Sequence, residues 1–141
     1  MGIRTVCGAS KSGAFFGKAP APSGIYSTPV LTFTPRSAPV DLVFYTGDKF
    51  PDVYRNGAFI VLHGTRNENG YDVVFVLWNQ QGIAGAPTVF ASGFAGSDAG
   101  SMGATPRAKY RPIGEAVGPD GALYVADSQK GRVWRIAYGS N

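Results

Sequence analysis

The sequence contains the same order of features twice. In each copy, a strand that begins with proline is followed by a turn, a strongly apolar strand, a polar loop and an alternating strand. The first copy spans residues 38–76 and the second spans residues 111–138. A small antiparallel unit of this kind cannot bury its own apolar faces, so copies of it have to stack on each other. The repeat therefore restricts the chain to stacked β-meanders.

The composition agrees with this restriction. The chain has 141 residues with 20 Gly, 10 Pro, 9 Phe and 7 Tyr, a combination that favours short strands and tight turns. Gly or Pro interrupts every apolar run within about ten residues, which excludes a long amphipathic helix. Hydrophobic residues make up 44% of the chain and charged residues 16%, as in a globular protein. The predicted fold class is all-β, with about two antiparallel four-stranded blades of a β-propeller.

The strands of the two copies indicate how complete the blades are. The middle strand of each copy is apolar at nearly every position, as expected for a sheet that is covered on both faces. Residues 87–91 follow the first copy as a fourth, outer strand, whereas only residues 139–141 follow the second. Closed propellers contain at least about four blades, so two blades predict an incomplete ring.

Two regions are predicted along the chain. Residues 1–29 have no periodicity and are expected to be irregular, and residues 30–141 are expected to form the blades. Residues 1–7 are too few and too polar for a signal peptide. No run of about 18 apolar residues is present that could cross a membrane. Neither a signal peptide nor a membrane partner is therefore predicted for this chain.

Charge is distributed unevenly. The formal net charge is +4, and from Ala104 onwards six basic residues stand against three acidic ones. Such an excess suits an anionic ligand. Nucleic acid is not predicted as a partner, because no nucleic-acid-binding motif accompanies the charge. Cys7 is the single cysteine, which excludes an internal disulfide and a cysteine-based metal cluster.

Several short runs occur in an order and spacing that are typical of one family. They are Phe44-Tyr45-Thr46-Gly47, His63-Gly64-Thr65, Gly70-Tyr71-Asp72, Tyr110-Arg111-Pro112, Gly118-Pro119-Asp120-Gly121 and Gly131-Arg132-Val133-Trp134-Arg135. As an ordered set over residues 30–139, they resemble the soluble glucose/sorbosone dehydrogenase family. Residues 11–17 resemble a further short stretch of that family, without its usual continuation. The family's earlier blades have no counterpart, so the chain resembles a truncated copy.

This resemblance implies a six-bladed β-propeller that holds pyrroloquinoline quinone and a calcium ion over its central channel. In such enzymes a histidine takes the proton of the sugar hydroxyl while hydride passes to the quinone, so the cofactor carries the chemistry. The catalytic histidine and the calcium ligands belong to earlier blades and have no counterpart here. The resemblance therefore implies a piece of a periplasmic or extracellular sugar dehydrogenase that contributes part of the cofactor pocket and is inactive alone.

Four residues are predicted to contact the cofactor, and none is predicted to be catalytic or to bind a metal. Arg111, just before Pro112, matches the family arginine that faces the quinone, whose carboxylates a guanidinium can bind in bidentate fashion. Lys109 would point the same way in an extended segment and add a second charge. The resemblance places His63, the single histidine, at the end of a strand near the central cavity, and Arg66 follows it in the loop.

Alternatives stay open from the sequence. Arg111 could be an exposed loop arginine, and His63 could be a hydrogen-bonded histidine at a blade's rim. Glu68 stands where family members often have an arginine, which weakens the case for anion binding by that loop. The aspartates are scattered, with no paired spacing for a calcium loop or an acid/base couple.

The function is open between three classes. The chain could be a piece of a sugar dehydrogenase, a non-catalytic carbohydrate- or anion-binding propeller module, or a lactonase-like propeller that binds a divalent metal. Sugar is the substrate that the resemblance implies. Unpaired blade edges predict either binding of the missing blades or self-association.

Overall fold

The structure is a computed structural model that describes residues 29–65, 70–79, 82–83, 85–96 and 108–139. These residues form two antiparallel sheets and no α-helix, which confirms the predicted all-β class. Arg66 and the predicted family remnant at residues 11–17 lie outside the described residues. Within the described ranges, no helix is long and apolar enough to cross a membrane.

Sheet 1 is built from the first copy of the repeat. Its strands are β1 (Pro39–Phe44), β2 (Gly57–Leu62), β3 (Asp72–Asn79), β4 (Gly82–Ile83) and β5 (Thr88–Ala91). The first three strands form an antiparallel meander, β5 pairs with the first part of β3, and β4 pairs with its last two residues. A 3-10 helix, Asp52–Tyr54, lies between β1 and β2. The outer strand predicted at residues 87–91 is confirmed as β5.

Sheet 2 is built from the second copy. Its strands are β6 (Pro112–Val117), β7 (Leu123–Asp127) and β8 (Val133–Ile136), in that spatial order. Each strand lies in the segment predicted for it. The prediction of four strands in each sheet is wrong, since sheet 1 has five strands and sheet 2 has three among the described residues. The physical reason in sheet 1 is the length of β3, which is sufficient to pair with both β4 and β5.

The first strands of the two sheets share an irregularity. The β1–β2 register shifts between Pro39 and Asp41, and the β6–β7 register shifts between Pro112 and Gly114. Proline has no N–H to donate to a neighbouring strand, so it is tolerated at the beginning of a strand and beside a bulge. The shared shift allows the two sheets to be aligned residue by residue.

The two sheets pack through faces that are not equivalent in the repeat. Aligned on the shared register shift, Phe59 corresponds to Tyr124, and Ile60 corresponds to Val125. Phe59 and Val125 lie in the core between the sheets, whereas Ile60 lies in a second cluster on the far face of sheet 1. Sheet 1 therefore uses one face of the repeat for this contact, and sheet 2 uses the opposite face. In heterologous packing of this kind, one face of each sheet lies outside the contact between the sheets.

Aromatic rings fill the core between the sheets. Phe59 is fully buried, and its ring centroid lies within 6.0 Å of five other ring centroids. These rings belong to Tyr45, Phe50, Tyr54, Phe75 and Phe90. Sheet 2 contributes the buried side chains of Leu123 and Val125 to the same core. Rings at these separations attract each other in addition to the gain from burial.

The far face of sheet 1 is apolar and only partly covered. Its buried side chains are Ile60, Leu62, Val74 and Val76, over which Leu31, Phe33 and Ile83 pack. Directly paired residues of an antiparallel sheet share a face, which places Leu42, Phe44 and Val89 on this face too. Leu42 and Phe44 are each 46% exposed and Val89 is 64% exposed. An exposed apolar face of this kind is typical of an interaction surface.

Tyr45 ties the two sheets together at one end. Its hydroxyl donates to the carbonyl oxygen of Gly121 at 3.0 Å and accepts two backbone N–H bonds from the β1–β2 connection. Gly121 closes the turn predicted at residues 119–121, and its N–H donates to the carbonyl oxygen of Gly118 at 2.9 Å. Its φ of 75° is one that glycine adopts without strain. The turn prediction is therefore confirmed.

Candidate functional site

Strand pairing brings three of the predicted site residues to the opposite end of the sheets from Tyr45. β1 begins where β2 ends, since Pro39 pairs with Leu62, and β6 begins where β7 ends, since Pro112 pairs with Asp127. The residues that stand just outside these strands are His63–Thr65, Lys109–Arg111 and Arg132. We call this set of residues the cationic end.

Arg111 connects the two sheets at the cationic end. Its Nη2 donates to the carbonyl oxygen of Gly64 at 2.5 Å. Its Nε is buried and has no hydrogen-bond partner. In the part of the chain that the structure describes, no ion pair involves Arg111. A guanidinium that keeps unused donors and has no carboxylate partner suits an anionic ligand.

Asp127 fixes the backbone from which Arg111 projects. Its buried carboxylate accepts N–H bonds from Arg111 at 2.7 Å, Gln129 at 2.9 Å and Lys130 at 2.7 Å. Burial raises the pKa of Asp127, but these bonds and the charge of Arg132 together hold the pKa below its ordinary value. The ionised carboxylate therefore orders both the start of β6 and the turn between β7 and β8.

His63 bridges the same two sheets. Its Nδ1 lies 2.7 Å from the carbonyl oxygen of Pro112. A carbonyl oxygen can only accept, so Nδ1 donates this bond, and the neutral tautomer that has its proton on Nδ1 keeps Nε2 as an acceptor. The side chain is half-buried. This arrangement gives His63 a positioning hydrogen bond and leaves Nε2 as an acceptor.

Two further cations of the cationic end surround Tyr110. The Nζ of Lys109 lies 5.4 Å from the centroid of the Tyr110 ring, and the Cζ of Arg132 lies 5.0 Å from it. Arg132 also donates from Nη1 to the hydroxyl of Tyr110 at 2.7 Å. Lys109 lies at a bend, so its side chain is oriented by Tyr110 rather than by an extended segment. The contacts of Lys109 Nζ and Arg132 Cζ with the Tyr110 ring are cation–π interactions.

The backbone near the cationic end is strained. Arg36, Ala38 and Tyr71 have φ values of 72°, 51° and 64°, which residues other than glycine rarely adopt. The carbonyl of Ala38 accepts the N–H of His63 at 2.9 Å, and the hydroxyl of Tyr71 donates to the carbonyl of Thr65 at 2.6 Å. Strain that surrounding hydrogen bonds maintain is concentrated at functional sites in proteins. Local sequence does not reveal it, because none of these positions holds glycine.

The sequence analysis did not identify Arg132 or Tyr110 as site residues. It also did not predict that two acids, Asp41 and Glu115, lie close together. Asp41 on β1 and Glu115 on β6 meet between the sheets, where the Oδ2 of Asp41 accepts the backbone N–H of Glu115 at 2.8 Å. They are 74 residues apart, so no local spacing pairs them. One signal was available: the first strand of each copy carries a single acid among uncharged residues. No group of three His, Cys, Asp or Glu among the described residues could hold a metal ion.

These features define an all-β repeat protein with a cationic end at the contact between two sheets. A family model described as TrAA12-like matches residues 20–139. Because this match covers most of the 141 residues, the chain belongs to the TrAA12-like family. No curated protein and no solved structure matches the chain. This family is a different one from the glucose/sorbosone dehydrogenases that the sequence resembles. That resemblance is not tested by the comparisons and stays a prediction.

Proposed function

We propose that this chain is part of a quinone-dependent sugar dehydrogenase with a β-propeller fold, and that its cationic end binds the carboxylates of pyrroloquinoline quinone. The observation that carries this proposal is the guanidinium of Arg111. It is held between the two sheets by the carbonyl of Gly64 and has no carboxylate partner among the described residues. The resemblance to sugar dehydrogenases supplies the identity of the ligand.

A propeller is supported by the way in which the two sheets pack. In a two-sheet sandwich the outer faces are polar, whereas here the far face of sheet 1 is apolar and exposes Leu42, Phe44 and Val89. Each sheet contributes the opposite face of the repeat to the contact, as consecutive blades do when they stack around a ring. Neighbouring blades, from a longer chain or from a partner, would cover the remaining faces.

The nitrogen donors of the cationic end suit the carboxylates of the quinone. Among the described residues they offer no site for calcium. Arg111, Lys109 and Arg132 are three cations without ion pairs among the described residues, and the buried Nε of Arg111 lacks an acceptor. When bound, the quinone accepts hydride from the sugar carbon that is oxidised. Arg111 would bind and orient a carboxylate, and Lys109 and Arg132 would offset the negative charge. His63, held through Nδ1, would accept a hydrogen bond at Nε2.

A second candidate is a carbohydrate- or anion-binding module without turnover. The observation in its favour is the hydrogen bond between His63 and Pro112, which uses the single histidine of the chain for positioning. No acid/base couple stands beside it at the cationic end within the described ranges. The chain is therefore proposed to be inactive alone in either case. A lactonase-like propeller would need a divalent metal, and the described residues offer no group of three ligands for one.

Replacing Arg111 with alanine is expected to weaken quinone binding by at least about tenfold, because a hydrogen bond to a charged group contributes about 1.5–3 kcal/mol. Arg111→Lys is expected to restore only part of the affinity, since an ammonium cannot bind a carboxylate in bidentate fashion. The measurement is a titration of the purified chain with pyrroloquinoline quinone, followed by the absorbance of the quinone.

Arg55→Ala is the matched control for this titration. Arg55 forms a surface ion pair with Asp52 at 3.0 Å and lies outside the cationic end, so its removal is expected to leave the affinity unchanged. Thermal melts with and without the quinone then separate the two candidates, because a ligand raises the melting temperature of the state that it binds. A melting temperature that rises with an anionic sugar but not with the quinone would favour the second candidate. Equal quinone affinity in wild type, Arg111→Ala and Arg55→Ala would contradict the role of Arg111.

The exposed far face of sheet 1 predicts self-association when no neighbouring blade covers it. We expect the purified chain to form oligomers with rising concentration, and we expect a Leu42→Lys/Phe44→Lys variant to stay closer to a monomer. Both side chains are 46% exposed, so the charges should cost little stability. Sedimentation velocity at several concentrations measures this, and a wild-type monomer at the highest concentration would argue against an unpaired face.

A further inference from the structure

Glu115 lies in β6 of sheet 2 and faces sheet 1. It pairs with Val125, whose side chain belongs to the core between the sheets, and paired residues share a face. Both carboxyl oxygens of Glu115 are buried, and neither has a hydrogen-bond partner. An ionised carboxylate is costly to bury without partners, whereas a neutral carboxyl group is much less so.

Asp41 is the acid that faces Glu115 from sheet 1. Its Oδ2 accepts the backbone N–H of Glu115 at 2.8 Å, and its Oδ1 accepts the N–H of Leu42 at 2.9 Å. Both oxygens of Asp41 thus accept backbone N–H groups, which hold the carboxylate in place beside Glu115. The negative charge of Asp41 in turn opposes a second negative charge on Glu115.

No cation among the described residues offsets these two acids. β2 packs on β6 and has no ionisable residue. On β7, the hydroxyl of Tyr124 donates to Asp120, and Asp127 accepts backbone N–H bonds at the end of the strand. His63 contacts β6 through the carbonyl of Pro112. Asp41 is thus the charged group that faces Glu115 in this contact, and its charge adds to the effect of burial.

We propose that the contact between Asp41 and Glu115 joins the two sheets in a proton-dependent way, with Asp41 as the carboxylate and Glu115 as the neutral acid. We call this pair of residues the clamp. Loss of the Glu115 proton places two negative charges in the contact between β1 and β6 and weakens that contact. The pKa of Glu115 agrees with this arrangement: burial and then the charge of Asp41 raise it to about 8, although the nearby backbone N–H of Val43, which does not reach hydrogen-bond geometry, lowers it in part.

The clamp makes stability depend on pH with a defined sign. The pKa of Glu115 is higher in the folded protein than in the unfolded chain, so the folded state binds more protons between the two pKa values. The stabilisation is complete below the ordinary glutamate pKa of about 4.3 and falls as the pH rises. Its loss is complete once the pH has passed the folded-state pKa of about 8.

The clamp also affects the cationic end. Arg111 and His63 make their hydrogen bonds to Gly64 and Pro112 across the same contact between the sheets. Opening this contact at high pH would separate the residues of the proposed quinone site. This consequence rests on the proposed function, whereas the clamp itself does not. The clamp can therefore be tested without any ligand.

The direct test is an NMR titration of the Glu115 carboxyl carbon in the folded chain. We expect a midpoint near pH 8. We expect Asp41→Asn to lower it, because the amide carries no charge while its oxygen can still accept the N–H of Glu115. The amide nitrogen then replaces Oδ1 beside the N–H of Leu42, which is a local loss within β1. A midpoint near the ordinary value of about 4.3 would overturn the proposal. An elevated midpoint that Asp41→Asn leaves unchanged would overturn the role of Asp41.

The second test is thermal unfolding at low and high pH. Between about pH 5 and about pH 8.5 the wild type is expected to lose about 5 °C or more in melting temperature. Glu115→Gln, which is neutral at both pH values, is expected to remove most of this loss. Asp72→Asn is the matched control, because burial also raises the pKa of Asp72 but Asp72 pairs with Leu62 and is not part of the clamp. The same loss in Glu115→Gln as in the wild type would overturn the proposal.

Discussion

Replacing Phe59 with alanine is expected to lower the free energy of unfolding by about 3–5 kcal/mol. Phe59 is fully buried in β2, and five aromatic rings surround it. These rings come from the β1–β2 connection and from β3 and β5, which are fixed by their own pairing. The strands cannot close the cavity without losing register, so the cost includes both lost burial and lost ring contacts. Denaturant unfolding followed by circular dichroism measures the change.

Phe44→Ala is the control for this substitution. The ring of Phe44 is 46% exposed on the far face of sheet 1 and makes one edge-on contact, with Trp78 at 5.4 Å. Its removal is expected to cost less than about 1 kcal/mol. Similar losses for Phe44→Ala and Phe59→Ala would mean that the far face is covered in solution. A small loss for both would place the core elsewhere.

Replacing Asp127 with alanine is expected to lower the free energy of unfolding by about 2–4 kcal/mol, because three backbone N–H groups lose their acceptor. The groups belong to Arg111, Gln129 and Lys130, at distances of 2.7–2.9 Å. The loss falls on the start of β6 and on the turn before β8 together. Thermal and denaturant unfolding measure it, and quinone affinity is expected to fall as well, since Asp127 holds the backbone of Arg111.

Asp127→Asn distinguishes the charge of Asp127 from its geometry. Oδ1 can keep the bonds to Arg111 and Gln129, but an amide nitrogen at the position of Oδ2 would face the N–H of Lys130. An intermediate loss of stability is therefore expected. Asp52→Ala, which removes a surface ion pair with Arg55, is expected to change stability by less than about 1 kcal/mol. No difference between Asp127→Ala and Asp52→Ala would contradict the role assigned to Asp127.

Asp127 also predicts a loss of stability in acid. Its pKa is lower in the folded chain than in the unfolded chain, so the ionised form stabilises the fold above the ordinary aspartate pKa of about 3.9. This contribution is lost as the pH falls through the lower, folded-state pKa. Falling pH therefore removes the stabilisation by Asp127, whereas rising pH removes the stabilisation by Glu115. The greatest stability is expected between the pH ranges of these two losses.

The local structure of this protein follows from short-range patterns in its amino-acid sequence. The proline that begins each copy, the apolar middle strands and the Pro119–Gly121 turn predict the positions of β1, β2, β6 and β7, because each depends on residues a few positions apart. The all-β class follows from the same local rules. The strand β5 was also predictable, since Thr, Val and Phe, which favour strands, follow a proline at residues 87–91.

Which side chains meet depends on how the two sheets pack, and the sequence patterns do not reveal it. Arg111 reaches Gly64 over 47 residues, His63 reaches Pro112 over 49, and Asp41 reaches Glu115 over 74. These contacts depend on which face of each sheet is turned to the other, and alternation along a strand is the same for either choice. The choice is made by packing of the whole faces, with Phe59 and Val125 inside and Ile60 outside. The strands could thus be predicted one by one, whereas the cationic end and the clamp arise only when both sheets are packed.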